Sequence, residues 1–290
     1  LGDNVNLANY RLVISDLDGT LVPYCTDRIS ERTIQTMAAL RENGVEFTVA
    51  TGRSWVQAKP IVAQLGITCP VIVQAGALVI DPITERPIRT RPLRPELETK
   101  LRQLKYGGGV DQFCLAESGG YYTTQITTSG GKWLYQFGEN CSLVSEWRHQ
   151  PTKIIKHLFI GAEVALQQLG LQIEAQLTPH PNLIFWPPDP GQRIDDWFLE
   201  VFDPLASKGQ ALQWLTGQLG IAMAAVIAFG DGGNDLDMLQ QAGMGVAIEG
   251  GAPEVLSATA YRAGRPEDDG VVRFLELVAE PNCDDNNGVA

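Results

Sequence analysis

Strand and helix signals alternate at both ends of this 290-residue chain, and nothing else in the sequence constrains its fold as strongly. The first eighty residues read "RLVIS", then "SERTIQTMAALRENG" with Ser30 as helix cap and Gly44 as stop, then "VEFTVA", a helix near 54–65 closed by Gly66, and "PVIVQAGALVI". The pattern resumes late in the chain with a helix from Lys208 to Gln218, "AAVIAFGDGG", a helix near 234–242, "MGVAI" and a helix near 270–279. Such βα alternation predicts a doubly wound, Rossmann-like parallel sheet in an α/β domain.

The stretch between the two blocks is of another kind. "KYGGGVDQF", "ESGGYYTTQITTSGGKWLYQFG" and "PHPNLIFWPPDPGQR" are rich in glycine, proline and aromatic residues, and predict short strands, tight turns and two helices. The expected organisation is a core from 1–82 and 200–280, an inserted α+β domain over 83–199, and a loose tail over 281–290. No fixed-period repeat interrupts this scheme.

Strand ends carry the chemistry. "LVISDLDGTLV" places Asp16 and Asp18 where an apolar strand stops, and residues i and i+2 of a strand leave on one side. Two carboxylates so placed repel each other unless a cation, a proton or hydrogen bonds compensate them. "TVATGRS", "ASKGQAL" and "FGDGGNDLDML" bring Thr51, Lys208 and Asp231 to other strand or helix ends, which in an open parallel sheet share the ligand-binding rim. Carboxylates Asp16 and Asp231 suit a hard cation, Thr51 and Lys208 suit an anion, and Gly19 and Gly52 allow close backbone approach. The set reads as phosphoryl transfer with Mg²⁺, which would also quench the repulsion between the aspartates.

Charge and cysteine usage narrow the setting. A formal net charge of −12 disfavours non-specific binding to nucleic acid or anionic membrane, so an anionic substrate needs a local positive site. Five widely spaced cysteines, Cys25, Cys69, Cys114, Cys141 and Cys283, form no CxxC pair and fit a reducing cytoplasm better than a disulfide framework or a zinc site. No apolar run is long enough to span a bilayer. The first ten residues show no secretory signal, though one already removed would leave no trace.

In order and spacing, "DLDGTL", "ATGR", "SKGQAL" and "GDGGNDLDML" resemble the four motifs of haloacid dehalogenase-like hydrolases of the Cof-type branch. The resemblance covers both ends of the chain; the middle matches only in size and position the α/β cap which that branch inserts. It implies that Asp16 is a nucleophile taking the phosphoryl group as an aspartyl phosphate, and that Asp18 protonates the leaving oxygen and later deprotonates water. It implies that Thr51 and Lys208 hold the phosphoryl oxygens. Asp16 and Asp231 would bind Mg²⁺ through carboxylates and Asp18 through its backbone carbonyl, with Asn234 and Asp235 orienting metal, water or Lys208. The expected partner is a small phosphorylated metabolite such as a sugar phosphate, with no obligatory protein partner. A phosphosugar mutase would use the same groups, and a non-catalytic phospholigand sensor the same rim. Ala75 in "QAGA" and Gly250 in "AIEGGA" stand where the branch carries asparagine, which leaves the substrate unassigned.

Other features have plainer readings. The calcium-loop pattern fails because Leu21 and Asp27 stand where glycine and glutamate are required, and "AGMGVAI" precedes a strand rather than following one. Arg53 either contacts substrate or pairs with an acid. His149, His157 and His180 share no metal-ligand spacing and are assigned surface roles. Trp133, Tyr135, Trp147, Phe185 and Trp186 are assigned to packing within the cap rather than to a sugar-binding face. The basic stretch from Arg86 to Lys105 reads as a solvated face.

Overall fold

The computed structural model describes residues 7–24, 26–138, 140–147, 153–188 and 194–279. The expectations for Cys25, His149, Cys283 and the tail 281–290 lie outside the described residues. In chain order the elements are β1 (Leu12–Ser15), α1 (Glu31–Glu42), β2 (Glu46–Val49), α2 (Trp55–Gln64), β3 (Val71–Val73), β4 (Leu78–Asp81) and β5 (Arg86–Thr90). Then come α3 (Pro95–Gln103), β6 (Val110–Ala116), β7 (Tyr121–Thr123), α4 (Ser129–Phe137), β8 (Cys141–Leu143), β9 (Ile154–Gly161), α5 (Glu163–Gln176), β10 (Asn182–Trp186) and β11 (Trp197–Phe202). The last part holds α6 (Lys208–Leu219), β12 (Val226–Gly230), α7 (Leu236–Gln241), β13 (Met244–Ile248), α8 (Pro253–Ala258), β14 (Tyr261–Ala263) and α9 (Gly270–Ala279).

The chain divides into two compact units, Leu1–Ile88 with Lys208–Ala290, and Arg89–Ser207. These bounds stand several residues beyond 82/83 and 199/200. The first change of unit falls within β5, which continues from β4 in a small sheet ordered β3-β4-β5, and the second follows β11, which pairs with β9 and β10.

The first unit is built on a parallel sheet ordered β14-β13-β12-β1-β2. A parallel bridge between Ala50 and Ile72 brings β3 alongside β2. β1 is buried on both faces, as a central parallel strand must be. Val13, Phe47 and Phe229 pack with Met37, Ile61 and Phe274 from α1, α2 and α9. Leu12, Ile14 and Ala228 pack on the opposite face with Leu212, Met238 and Val255 from α6, α7 and α8. The helices begin where the sequence supplies caps: the Ser30 hydroxyl accepts from the Thr33 amide, and Ser54 with Gln57 forms a capping box.

The second unit carries a six-stranded sheet ordered β10-β11-β9-β6-β7-β8, antiparallel except where β7 meets β8. Leu97 and Leu101 of α3 and Leu166 and Ile173 of α5 pack against Cys114, Phe159, Leu199 and Val201 of the sheet. This unit has three helices among its described residues, not two. One of them, α4, opens on "SGG", which hides its start. The buried Asp111 carboxylate fixes that start by accepting from the Thr127 and Thr128 amides, while Thr128 caps Gly131.

The surface role assigned to His157 is corrected. It lies wholly buried on β9, with Nδ1 2.7 Å from Gln112 Nε2 and Nε2 3.7 Å from Glu98, and its ring stacks on Phe159. β9 is an inner strand, so its alternate side chains face either the helices or the opposite face, and neither reaches water. The aromatic residues assigned to packing divide: Trp147 packs against the cap core, whereas Tyr135 and Phe185 are exposed in part.

Candidate active site

Every parallel strand of the central sheet ends at one rim, and β1 delivers Asp16 there. The Asp16 amide continues the ladder by donating to the Phe229 carbonyl at 3.0 Å, after which the chain turns sharply. The Leu17 carbonyl receives the amides of Thr20, Leu21 and Val22, and Gly19 adopts φ +77°. Glycine is required at this point. A Cβ on Gly19 would lie 2.5 Å from both Asp231 Oδ2 and the Tyr24 ring.

That turn separates the two aspartates of "DLDGT". Asp16 is buried and meets Lys208 Nζ through Oδ1 at 2.8 Å. Asp18 faces Arg53, which holds it at two points: Nε to Oδ2 at 2.8 Å and Nη2 to Oδ1 at 2.6 Å. Arg53 also pairs with Asp27 and donates to the Thr26 carbonyl. Its ion pairs hold the guanidinium charged despite burial. The repulsion expected between Asp16 and Asp18 is thus not the main one. Asp16 instead crowds against Asp231 and Asp235, whose carboxylate oxygens and its own lie within 4.8 Å of one another.

Asp231 follows β12, as Asp16 follows β1. Thr20 donates to its Oδ1 and the Tyr24 hydroxyl to its Oδ2, each at 2.7 Å. Asp235, in the short 3₁₀ turn Gly233–Asp235 before α7, is fully buried and fully engaged. Its Oδ2 accepts the amides of Asp231 and Gly232, and its Oδ1 takes Lys208 Nζ at 2.6 Å. Gly230 makes room for it, since a Cβ there would lie 2.5 Å from that of Asp235.

Lys208, the first residue of α6, is wholly buried between Asp16 and Asp235. Burial works against its charge, but the two carboxylates more than offset this and keep it protonated. Burial is also the largest influence on Asp16 and raises its pKa well above the carboxylate range; Asp235 and Asp231 push the same way, and Lys208 opposes them. Asp231 is raised chiefly by burial, against the hydrogen bonds from Tyr24 and Thr20.

Thr51 completes the rim beyond β2. It is fully buried; its amide donates to the Ile72 carbonyl, its Oγ1 accepts the Arg53 amide at 3.1 Å, and its carbonyl accepts the Ala75 amide. Gly52 lies half-buried between Thr51 and Arg53. Ala75 itself holds φ +51°, a left-handed conformation that asparagine tolerates better than alanine.

The donor set fits a divalent cation. Three buried carboxylates face one ammonium, which leaves excess negative charge in a dry place. Oxygen donors of this kind suit Mg²⁺. Asp16 and Asp231 are the carboxylates with capacity to spare, since both oxygens of Asp235 are committed to Lys208 and the backbone. Asn234 Nδ2 is buried beside them with no hydrogen-bond partner among the described residues. The Asp18 carboxylate lies outside the cluster. Sequence reasoning assigned no role to Thr20 or Tyr24. Thr20 stands inside the quoted "DLDGT", which could have flagged it, while nothing near Tyr24 in the sequence marks it.

Comparison with known proteins follows this geometry. A family model described as haloacid dehalogenase-like hydrolase matches residues 13–275. An HMP-PP phosphatase of Yersinia pseudotuberculosis serotype O:1b is 28% identical over 277 residues, covering 92% of this chain and 94% of that protein. Among solved structures, a haloacid dehalogenase-like hydrolase from Bacteroides thetaiotaomicron is similar with a TM-score of 0.73 at 22% identity, covering 93% of this chain and 99% of the other. A subclass IIB sugar phosphatase of the same superfamily is similar with a TM-score of 0.72 at 22% identity, covering 92% and 98%.

Proposed function

The chain belongs to the haloacid dehalogenase-like hydrolases, and on that footing we propose that it is a magnesium-dependent phosphatase of a small phosphorylated metabolite. The observation that carries this reading is Lys208, buried and clasped between Asp16 and Asp235 beside the Asp231 carboxylate. That arrangement offers one ammonium to a phosphoryl group, a carboxylate as nucleophile, and oxygen ligands for a cation. The names of the relatives, an HMP-PP phosphatase and a sugar phosphatase, support a phosphate ester as substrate.

In the proposed reaction Thr51 and Lys208 hold the phosphoryl oxygens. An oxygen of Asp16 attacks phosphorus; the bond from phosphorus to the leaving oxygen breaks, and Asp18 gives that oxygen a proton. Asp18, now a carboxylate, takes a proton from water, whose oxygen attacks the aspartyl phosphate and releases Asp16 and inorganic phosphate. The carboxylates of Asp16 and Asp231 and the main-chain carbonyl of Asp18 would hold Mg²⁺, which when bound offsets the repulsion between Asp16 and the phosphoryl oxygens. Asn234 and Asp235 support this set from outside. The protein contributes position and charge.

The test is release of inorganic phosphate from a panel of phosphorylated metabolites, with Mg²⁺ and with chelator, in wild type and Asp16→Asn. Turnover that needs Mg²⁺ and disappears in the variant is expected. Chelator-resistant release, or near-normal kcat in Asp16→Asn, refutes the reading.

A further inference from the structure

Tyr24 stands at the rim although neither the sequence pattern nor the proposed chemistry gives it a place. Its side chain is largely exposed, at 60%, yet its hydroxyl turns inward and donates to Asp231 Oδ2 at 2.7 Å. The ring lies over Gly19, so close that a Cβ there would meet it at 2.5 Å. The phenol donates and the carboxylate accepts. Asp231 is therefore held by two donors, one on each oxygen, with Thr20 on the other side.

We propose that Tyr24 is a positioning residue for the cation, orienting the Asp231 carboxylate so that it can take a divalent metal. This inference rests on the reading of Asp16 and Asp231 as a metal centre. A carboxylate oxygen that accepts one hydrogen bond retains a second lone-pair direction, so the phenol and a metal can share Asp231 without competing. Outer donors of this kind fix ligand orientation, and their loss typically costs tenfold or more in metal affinity. The assignment also explains Gly19 in this chain: only a residue without Cβ lets the ring pass over the turn to reach Asp231.

The experiment is calorimetric titration of Mg²⁺ into the metal-free full-length protein, comparing wild type, Tyr24→Phe and Asp231→Asn. Phenylalanine keeps the ring over Gly19 and removes only the hydroxyl, and thermal unfolding in chelator verifies that the variant is folded. The expected result is an Mg²⁺ Kd raised about tenfold in Tyr24→Phe, with the Mg²⁺ concentration for half-maximal rate rising by the same factor. An unchanged or tighter Kd in Tyr24→Phe, while Asp231→Asn loses binding, overturns the inference and leaves the metal centre standing. Wild-type Mg²⁺ affinity in Asp231→Asn overturns the metal centre itself, and the inference with it.

Discussion

Arg53 stands at the rim with its guanidinium held by two acids. Nε and Nη2 donate to Asp18 and Nη1 pairs with Asp27. A two-point hold fixes the plane of the Asp18 carboxylate, which matters if Asp18 delivers a proton to a leaving oxygen. Arg53→Lys keeps the charge but replaces a planar fork with a point donor. It is expected to lower kcat for a sugar phosphate on the order of tenfold, a fraction of what general acid catalysis contributes. An aryl phosphate, whose leaving group needs no proton, should lose far less. Equal losses on the two substrates would show that Arg53 does not act through Asp18. Asp16, Thr51, Lys208 and Asp231 were legible because each follows a recognisable strand or opens a recognisable helix. Thr20 and Tyr24 were not, because their partner lies 211 and 207 positions away, and no local pattern encodes a contact of that span.

Among the elements, the turn after β1 is the one on which the site depends most. Gly19 combines a left-handed backbone with contact to Asp231 and Tyr24, so Gly19→Ala carries two penalties at once. The backbone alone costs roughly 1–2 kcal/mol, and the new methyl must displace either the carboxylate or the ring. Reduced stability in urea unfolding together with lost Mg²⁺ binding is expected; a variant that binds Mg²⁺ like wild type would show that the turn tolerates side chains. Elements with strong local signals were legible: α1 and α2 with their serine caps, and the apolar runs of β1, β2, β12 and β13. Those without were missed. α8 is six residues long and β14 three; each is held by neighbours rather than by its own propensity. β9 shows the same limit from the other side, since a histidine in an apolar run says nothing about which face it takes. Burial lowers the pKa of His157 below the ordinary imidazole value, with Glu98 opposing and Arg102 adding to the effect. Gln112 and Cys114 also face it. The folded state therefore binds fewer protons than the unfolded one, and stability present above pH of about 6.5 is lost as pH falls below it. Melting temperature of wild type should drop through that range more steeply than that of His157→Gln; parallel curves would remove His157 as the cause.

At the scale of the molecule, the two units keep separate cores. Every residue of the two apolar clusters that flank the parallel sheet comes from before Ile88 or after Lys208, and every residue of the third cluster lies between Arg89 and Ser207. A chain so divided should survive excision of the inserted unit. Replacing Arg89–Ser207 by a short glycine-serine linker leaves β1, β2, β12, β13 and β14 with the helices on both their faces, and leaves Asp16, Thr51, Lys208 and Asp231 in place. Circular dichroism and cooperative unfolding should show a folded product. We infer that the excised unit recognises the leaving moiety, whereas the core supplies the chemistry. Hydrolysis of a small aryl phosphate should therefore fall less, in kcat/KM, than hydrolysis of the preferred metabolite, and discrimination among metabolites should collapse. The excised unit expressed alone should fold as well, because α3 and α5 already cover one face of its sheet. A truncated core that folds yet retains the parent's ranking of metabolites would place specificity in the core instead, among residues such as Ala75 and Gly250 where this chain departs from the pattern its motifs otherwise follow.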